Sequence, residues 1–339
     1  MDNTNKIVKI STDCANDIRV LFDILKTHLS NLSLTFSQKG IKMTGQNGYR
    51  TILVFVRLNS ENFYNYHIDS DNDSDNDISV NIELDKAFYE FTKSIKRDDC
   101  LTLSIDEDKP RLIAFDLNSE SRNCHYEHKL INIDHPNVFP PEMTFEFCVS
   151  MPTTVFKNTL TKLKKNYGLV EIICIKDAII FSCRNELGKE DIMLKNSSEV
   201  KFHKNPINDS IDNNYTVAMC TYDLKELSSF TSCDRLSNDV TLYLKKDHPL
   251  FIQFPVASLG KMTVGFTPII IDENDQEDQE DQEEDAGPII DDEEQIAQEN
   301  MQTCLITQEY NLFNIMYKIL EHGCLNFGYL WTYVKNTIC

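Results

Sequence analysis

The chain has 339 residues, 41% of them hydrophobic, with 54 acidic against 33 basic side chains and a formal net charge of −21. That length supports two domains with sizeable cores, and so negative a balance argues against a chain that wraps nucleic acid over its whole surface. The charge is unevenly placed, however: residues 272–339 hold 17 Asp/Glu against two Lys, a net of −15, which leaves only −6 for residues 1–271. The 11 cysteines form no CxxC pair and no secretory framework, and residues 1–10 lack the apolar core of a signal peptide. No uncharged apolar run reaches the ~20 residues of a membrane span. A soluble intracellular protein with reduced thiols is the expectation.

In chain order, residues 7–10 read as a short strand, and Thr12-Asp13 can cap a helix to about residue 29 with the stripe Ile18, Leu21, Phe22, Leu25 and Leu29. Residues 32–36 and 41–44 form a hairpin with Gly40 at its turn, and residues 50–58 a long apolar strand. An acidic run at 69–77 precedes a short strand at 80–82 and a second helix near 85–96, whose stripe is Leu84, Phe88, Phe91 and Ile95. Residues 100–117 (CLTLSIDEDKPRLIAFDL) place two strands about an Asp-x-Pro turn, and 124–133 add another strand. With three prolines, residues 135–142 (HPNVFPPE) predict a linker.

The second half replays the first. Residues 145–150 are the strand, and Phe156, Leu160, Leu163 and Tyr167 the stripe of the following helix. The hairpin recurs at 169–183, a fourth helix lies at 222–232, and strands follow through 240–266. Four matched elements recur in one order at separations of 137–140 residues. The expectation is an α+β fold of two copies of one strand-rich module, residues 1–134 and 143–271, joined by the 135–142 loop. Residues 272–339 fall outside it: 272–299 read as an acidic linker, and 310–334 as an apolar segment holding Trp331.

Each helix buries one stripe, so its other face carries function. Those faces present Arg19 and Lys26; Lys86, Lys93, Lys96 and Arg97; Lys157, Lys162, Lys164 and Lys165; and Lys225 with Arg235. Four helices leaning basic in an acidic body favour a shared polyanion-facing surface, binding phosphates without reading bases. No Walker loop, GxSxG or HExxH motif occurs, and no enzyme is expected. Cys124-His125-x-x-His128 is declined as a metal site, because on a strand the two histidines point to opposite faces. The DSDNDSDND run lacks the Gly and Glu of a calcium loop. No metal and no cofactor are expected.

Residues 7–271 resemble the proliferating cell nuclear antigen family, the ring-shaped DNA sliding clamps. The match is carried by 34–44 (LTFSQKGIKMT), 126–134 (YEHKLINID), Val149-Ser150-Met151-Pro152, Glu186-Leu187-Gly188, Asp247-His248-Pro249-Leu250 and Thr267-Pro268. The resemblance implies a DNA-clamp fold, antiparallel sheets outside and two helices inside each module, assembled head to tail as a homotrimer around duplex DNA. It places Arg19, Lys26, Lys86, Lys93, Lys162, Lys165 and Lys225 toward phosphates, whereas Thr161 and Ser232 are neutral where relatives often carry cations. It implies a subunit seam at Tyr126, Leu130, Leu187 and Ile192. Partners presenting a Gln-x-x-aliphatic-x-x-aromatic-aromatic peptide are expected at Gln46, Arg50, Thr51, Leu53, Val138, Pro140, Pro141, His248, Pro249, Thr267 and Pro268. The implied role is a processivity factor tethering a DNA polymerase, placed by a clamp loader and recruiting replication and repair proteins, in a nucleus or a cytoplasmic viral replication site. Two alternatives stay open: a checkpoint-type subunit of a heterotrimer, and a monomeric or dimeric processivity factor that does not encircle DNA.

Overall fold

The structure is a computed structural model that describes residues 6–69, 77–132, 145–203, 218–246 and 248–269. The described residues up to 268 make one compact unit. The linker with Val138, Pro140 and Pro141, nearly all of the acidic run, and the segment 272–339 lie outside the described residues.

The first module runs β1 (Lys6–Thr12), α1 (Ala15–His28), β2 (Asn31–Ser37), β3 (Gly40–Gln46), β4 (Ile52–Asn59), a 3-10 turn (Ser60–Asn62), β5 (Asn65–Ile68), β6 (Ile78–Glu83), α2 (Lys86–Ser94), β7 (Cys100–Asp106), β8 (Leu112–Ser119) and β9 (Arg122–Ile131). The second repeats that order as β10 (Phe147–Pro152), α3 (Thr153–Leu163), β11 (Leu169–Ile175), β12 (Ala178–Asn185), β13 (Gly188–Lys195), β14 (Lys201–His203), β15 (Ala218–Asp223), α4 (Leu224–Ser229), β16 (Asp239–Leu244), β17 (Leu250–Val256) and β18 (Gly260–Phe266). The duplication reaches single hydrogen bonds. Ser11 meets Thr102 hydroxyl to hydroxyl at 2.9 Å across β1·β7, and Ser150 meets Thr241 at 2.9 Å across β10·β16.

The described strands form two sheets. One holds fourteen strands in the order β14-β10-β16-β17-β18-β4-β3-β2-β6-β9-β8-β7-β1-β5; the other is β13-β12-β11-β15. The modules join through main chain: β18 pairs antiparallel with β4 from Phe266↔Ile52 to Gly260↔Leu58. The helices lie in one layer against the sheets, with α1 touching α2 and the 3-10 turn Phe230–Arg235, and α3 touching that turn and α4. Fully buried Phe36, Phe88, Phe115, Phe156, Phe181, Phe230, Phe254 and Phe266 fill the space between, each contributing roughly 2–3 kcal/mol of apolar burial.

Several boundaries differ from the sequence reading. Thr12 does not cap α1; its hydroxyl takes the Cys14 amide (3.0 Å), and the helix starts at Ala15. Val20 and Ile24, outside the expected stripe, are also buried, because α1 packs on other helices as well as on a sheet. Arg50 precedes β4 rather than opening it: at φ 58 it closes a turn in which its amide donates to the Asn47 carbonyl (3.0 Å). The fourth helix is α-helical only to Ser229 and then tightens to 3-10 through Arg235. The hydroxyls of Ser228, Ser229, Thr231 and Ser232 bond back to carbonyls three or four residues earlier, and such local competition loosens an α-helix. Tyr167 lies beyond the end of α3. Strands β5, β14 and β15 had no alternation strong enough to read.

At the module junction, Thr51 donates its hydroxyl to the Glu226 carboxylate at 2.5 Å. Burial pushes the Glu226 pKa up, and the Thr51 bond only partly opposes it. A raised carboxyl pKa makes ionisation unfavourable in the fold, so stability falls as pH rises through the folded value. Glu226→Gln keeps an acceptor for Thr51 and removes that cost. Its melting temperature is expected to match the parent near pH 4 and to exceed it at pH 7, checked by thermal denaturation at both values.

Candidate nucleic-acid and partner interfaces

The helix layer collects the expected phosphate-facing residues, but not as equals. Lys86, Lys165 and Lys225 are exposed and make no side-chain ion pair or hydrogen bond among the described residues. Arg19 is engaged by Asn16 (2.9 Å) and by Asp23 (3.7 Å), and Asp23 also takes Arg235 (3.6 Å). Lys26 donates to the carbonyls of Leu84 (2.5 Å) and Asp85 (3.0 Å) at the start of α2. Lys93 lies 4.0 Å from the Tyr89 ring centroid and 3.7 Å from Glu90. Lys162 reaches Glu190 of β13 at 2.6 Å. His28 adds no charge: burial pulls its pKa down to about 4, and it stacks on Phe230 at 3.9 Å.

The described members of the expected dock, Gln46, Arg50, Thr51, Leu53, His248, Pro249, Thr267 and Pro268, gather at one end of the β3, β4, β17 and β18 strands. Gln46 ends β3 and pairs in register with Leu53 of β4. Thr267 follows β18, and its amide donates to the Thr51 carbonyl at 3.0 Å. Leu53 itself is buried at 2% exposure, so it supports the surface from beneath. Side-chain oxygens of Gln46 and Thr267 are buried without a hydrogen-bond partner among the described residues; such groups cost free energy unless a ligand meets them. The sequence reading missed Tyr49, which stands 72% exposed on the turn before Arg50. An aromatic in a loop leaves no periodicity to detect.

Besides the shorter sheet ends β5, β14 and β15, two long strand edges are open among the described residues. β13 ends its sheet, and β9 pairs with β8 along its length but with β6 only at Leu130 and Ile131. In the repeat, β4 corresponds to β13 and β18 to β9, so the two open edges are the counterparts of the two strands that pair inside the chain. Where that internal pair buries Val54, Val56 and Met262, the corresponding Glu190, Ile192 and Cys124 are only half-buried. Of the expected seam residues, Tyr126 stacks on Phe91 with ring centroids 4.6 Å apart. Leu130 and Ile192 are half-buried, and Leu187 is 96% exposed at the tip of the β12–β13 hairpin. His125 and His128 point to opposite faces. His125 meets Asp116 at 2.6 Å, and that hydrogen bond raises its pKa, whereas His128 is buried beside Phe88.

A tandem of strand-rich modules with one layer of helices and a continuous sheet between modules defines the DNA-clamp class of fold. Residues 9–137 match the family described as proliferating cell nuclear antigen, N-terminal domain, and residues 140–269 its C-terminal domain. The chain belongs to the proliferating cell nuclear antigen family, whose members are non-enzymatic sliding clamps. It is 24% identical over 276 residues to a protein of Paramecium bursaria Chlorella virus 1 called "Probable DNA polymerase sliding clamp 1", across 80% of this chain and 100% of that one.

Proposed function

We propose that three copies of this chain close head to tail around duplex DNA and tether a DNA polymerase during replication, with β9 of each copy pairing with β13 of the next. The observation that carries this reading is the internal β18·β4 pair, which supplies a register for its open counterparts. Transferred through the repeat, Thr263↔Phe55 becomes His125↔Asp191, and Gly265↔Leu53 becomes Glu127↔Lys189. The second is an opposite-charge pair, favourable directly across an antiparallel ladder, and the first sets an imidazole against a carboxylate. Pairing also hides two edges that otherwise invite uncontrolled association. Because both edges belong to one sequence and match each other in charge, one kind of chain suffices to close the ring.

In such a ring the helix layer lines the hole. Closure makes attachment topological, so weak, salt-screened phosphate contacts suffice and leave the ring free to slide. Lys86, Lys165 and Lys225, free of partners among the described residues, are the first to meet phosphate; Arg19, Lys26, Lys93 and Lys162 must exchange the bonds they now make. Partner peptides from polymerase and repair proteins dock at Gln46, Arg50, His248, Pro249, Thr267 and Pro268, where the unpaired oxygens of Gln46 and Thr267 accept donors from the peptide. Val138, Pro140 and Pro141 complete this dock from the linker, and a clamp loader opens the ring, in a nucleus or a cytoplasmic viral replication site.

The test is primer extension by a polymerase of the same source with its loader. Added protein is expected to lengthen products; no gain refutes the reading. The triple variant Lys86→Ala, Lys165→Ala, Lys225→Ala is expected to melt as the parent does. Its DNA affinity should lose up to about three phosphate contacts, lowering the slope of log K against log salt by roughly 2–3. An unchanged slope removes these lysines from the DNA face.

A further inference from the structure

At the opposite end of β18 from Thr267, roughly 20 Å away along the strand, the module junction holds a second site. A depression of about 470 Å³ is lined by Arg57, Asn59 and Asn62 from the first module and by Ser258, Gly260 and Lys261 from the second. It lies on the sheet face away from the helices, since Arg57 alternates with the core residues Val56 and Leu58. Asn59 and Asn62 fix its walls: the Asn59 amide (2.9 Å) and the Asn62 side chain (3.2 Å) both donate to the Leu259 carbonyl. Gly260 lets β18 approach β4 closely here, since a Cβ would come 2.0 Å from the Arg57 carbonyl oxygen.

The charge is arranged against the stability of the sheet. Arg57 stands in register with Lys261 on one side and with Lys42 on the other, and like charges directly opposite destabilise a ladder. Lys42 has Asp77 at 3.7 Å. Arg57 and Lys261 have no side-chain ion pair or hydrogen bond among the described residues. The fold does not require cations here: through the repeat, Arg57 corresponds to Met193 and Lys261 to Asn123.

The lining offers a guanidinium, an ammonium, two carboxamides and a hydroxyl, and it includes no carboxylate and no aromatic ring. Such donors suit a doubly charged oxyanion, with the guanidinium able to bind it bidentately. The lack of an aromatic platform disfavours a stacked base. We propose that this junction is a binding site for a phosphate dianion, either a phosphorylated side chain of a partner protein or a free phosphate, separate from both the helix layer and the peptide dock.

The test uses the full chain, with inorganic phosphate, O-phosphoserine, a phosphoserine peptide and a short single-stranded oligonucleotide as probes at constant ionic strength. Phosphate and O-phosphoserine at ten times their dissociation constants are expected to raise the melting temperature by about 2–4 °C. Arg57→Gln with Lys261→Gln should abolish that rise and weaken binding at least tenfold, while Lys176→Gln with Lys201→Gln, which removes two exposed charges elsewhere, leaves both intact. Relief of the like-charge contact should also leave the double variant at least as heat-stable as the parent without ligand. Tighter binding of the peptide than of free phosphate identifies a phosphorylated partner as the source; equal binding identifies free phosphate. Equal responses in parent, double variant and control overturn the proposal, as does a preference for the oligonucleotide that the double variant loses.

Discussion

Lys189→Glu is expected to yield a folded protein that sediments as single chains where the parent sediments as three. In the register transferred from β18·β4, Lys189 on β13 faces Glu127 on the neighbour's β9, and the substitution sets two carboxylates opposite each other in all three seams. Like charges juxtaposed across an interface cost several kcal/mol, enough to raise the dissociation constant at least a hundredfold. Within the chain the change removes only the Lys189–Asp191 contact at 3.1 Å, an exposed pair contributing little to stability. The melting temperature of the isolated chain should therefore hold. The double variant Lys189→Glu, Glu127→Lys restores the opposite-charge pair and should restore the three-chain mass. Sedimentation velocity at fixed concentration reads both; loss of assembly without rescue places the seam in another register.

The second large effect is on folding. The Asp99 side chain is 1% exposed, receives the Arg122 guanidinium at 2.5 Å and takes the Lys96 amide at 2.8 Å. Arg122 also donates to the Ser94 carbonyl at the end of α2, so the pair ties that helix end to the start of β9. Asp99→Ala leaves the Arg122 charge without its partner and is expected to cost roughly 3 kcal/mol, read as a lower urea midpoint. Burial pushes the Asp99 carboxyl up, but Arg122 and the Lys96 amide outweigh it and hold the pKa below the usual value. Stabilisation from a depressed carboxyl is complete above the unfolded pKa and is lost as pH falls through the folded one. The difference between parent and variant should thus be full at pH 7 and shrink below about pH 4.

Much of this molecule was legible because duplication writes the same signals twice. Most of the stripes of α1, α2 and α3 and the Gly40 hairpin followed from local periodicity, and the repeat spacing pointed to two copies of one module. What stayed hidden depends on tertiary placement. No local pattern says that β18 pairs with β4, because both strands are apolar and any apolar strand offers the same ladder. Nor does sequence distinguish Lys165, which meets no partner among the described residues, from Lys162, which a glutamate on β13 holds; the two look alike on a helical wheel. Arg50 read as strand because apolar residues follow it, while its positive φ comes from the turn closed with Asn47. Met193 and Arg57 become comparable only once the register of both sheets is known. The phosphate site was invisible for that reason, since its six residues come from two segments, 57–62 and 258–261, that lie far apart in the chain.

Encirclement is tested most directly by loading the protein onto a nicked circular duplex, isolating the complex, and cutting the DNA once. A closed ring is expected to stay on the circle through a wash in high salt and to leave within minutes of linearisation, with blocked ends restoring retention. Equal retention on circular and linear DNA, or release from both in high salt, would contradict a ring held by topology.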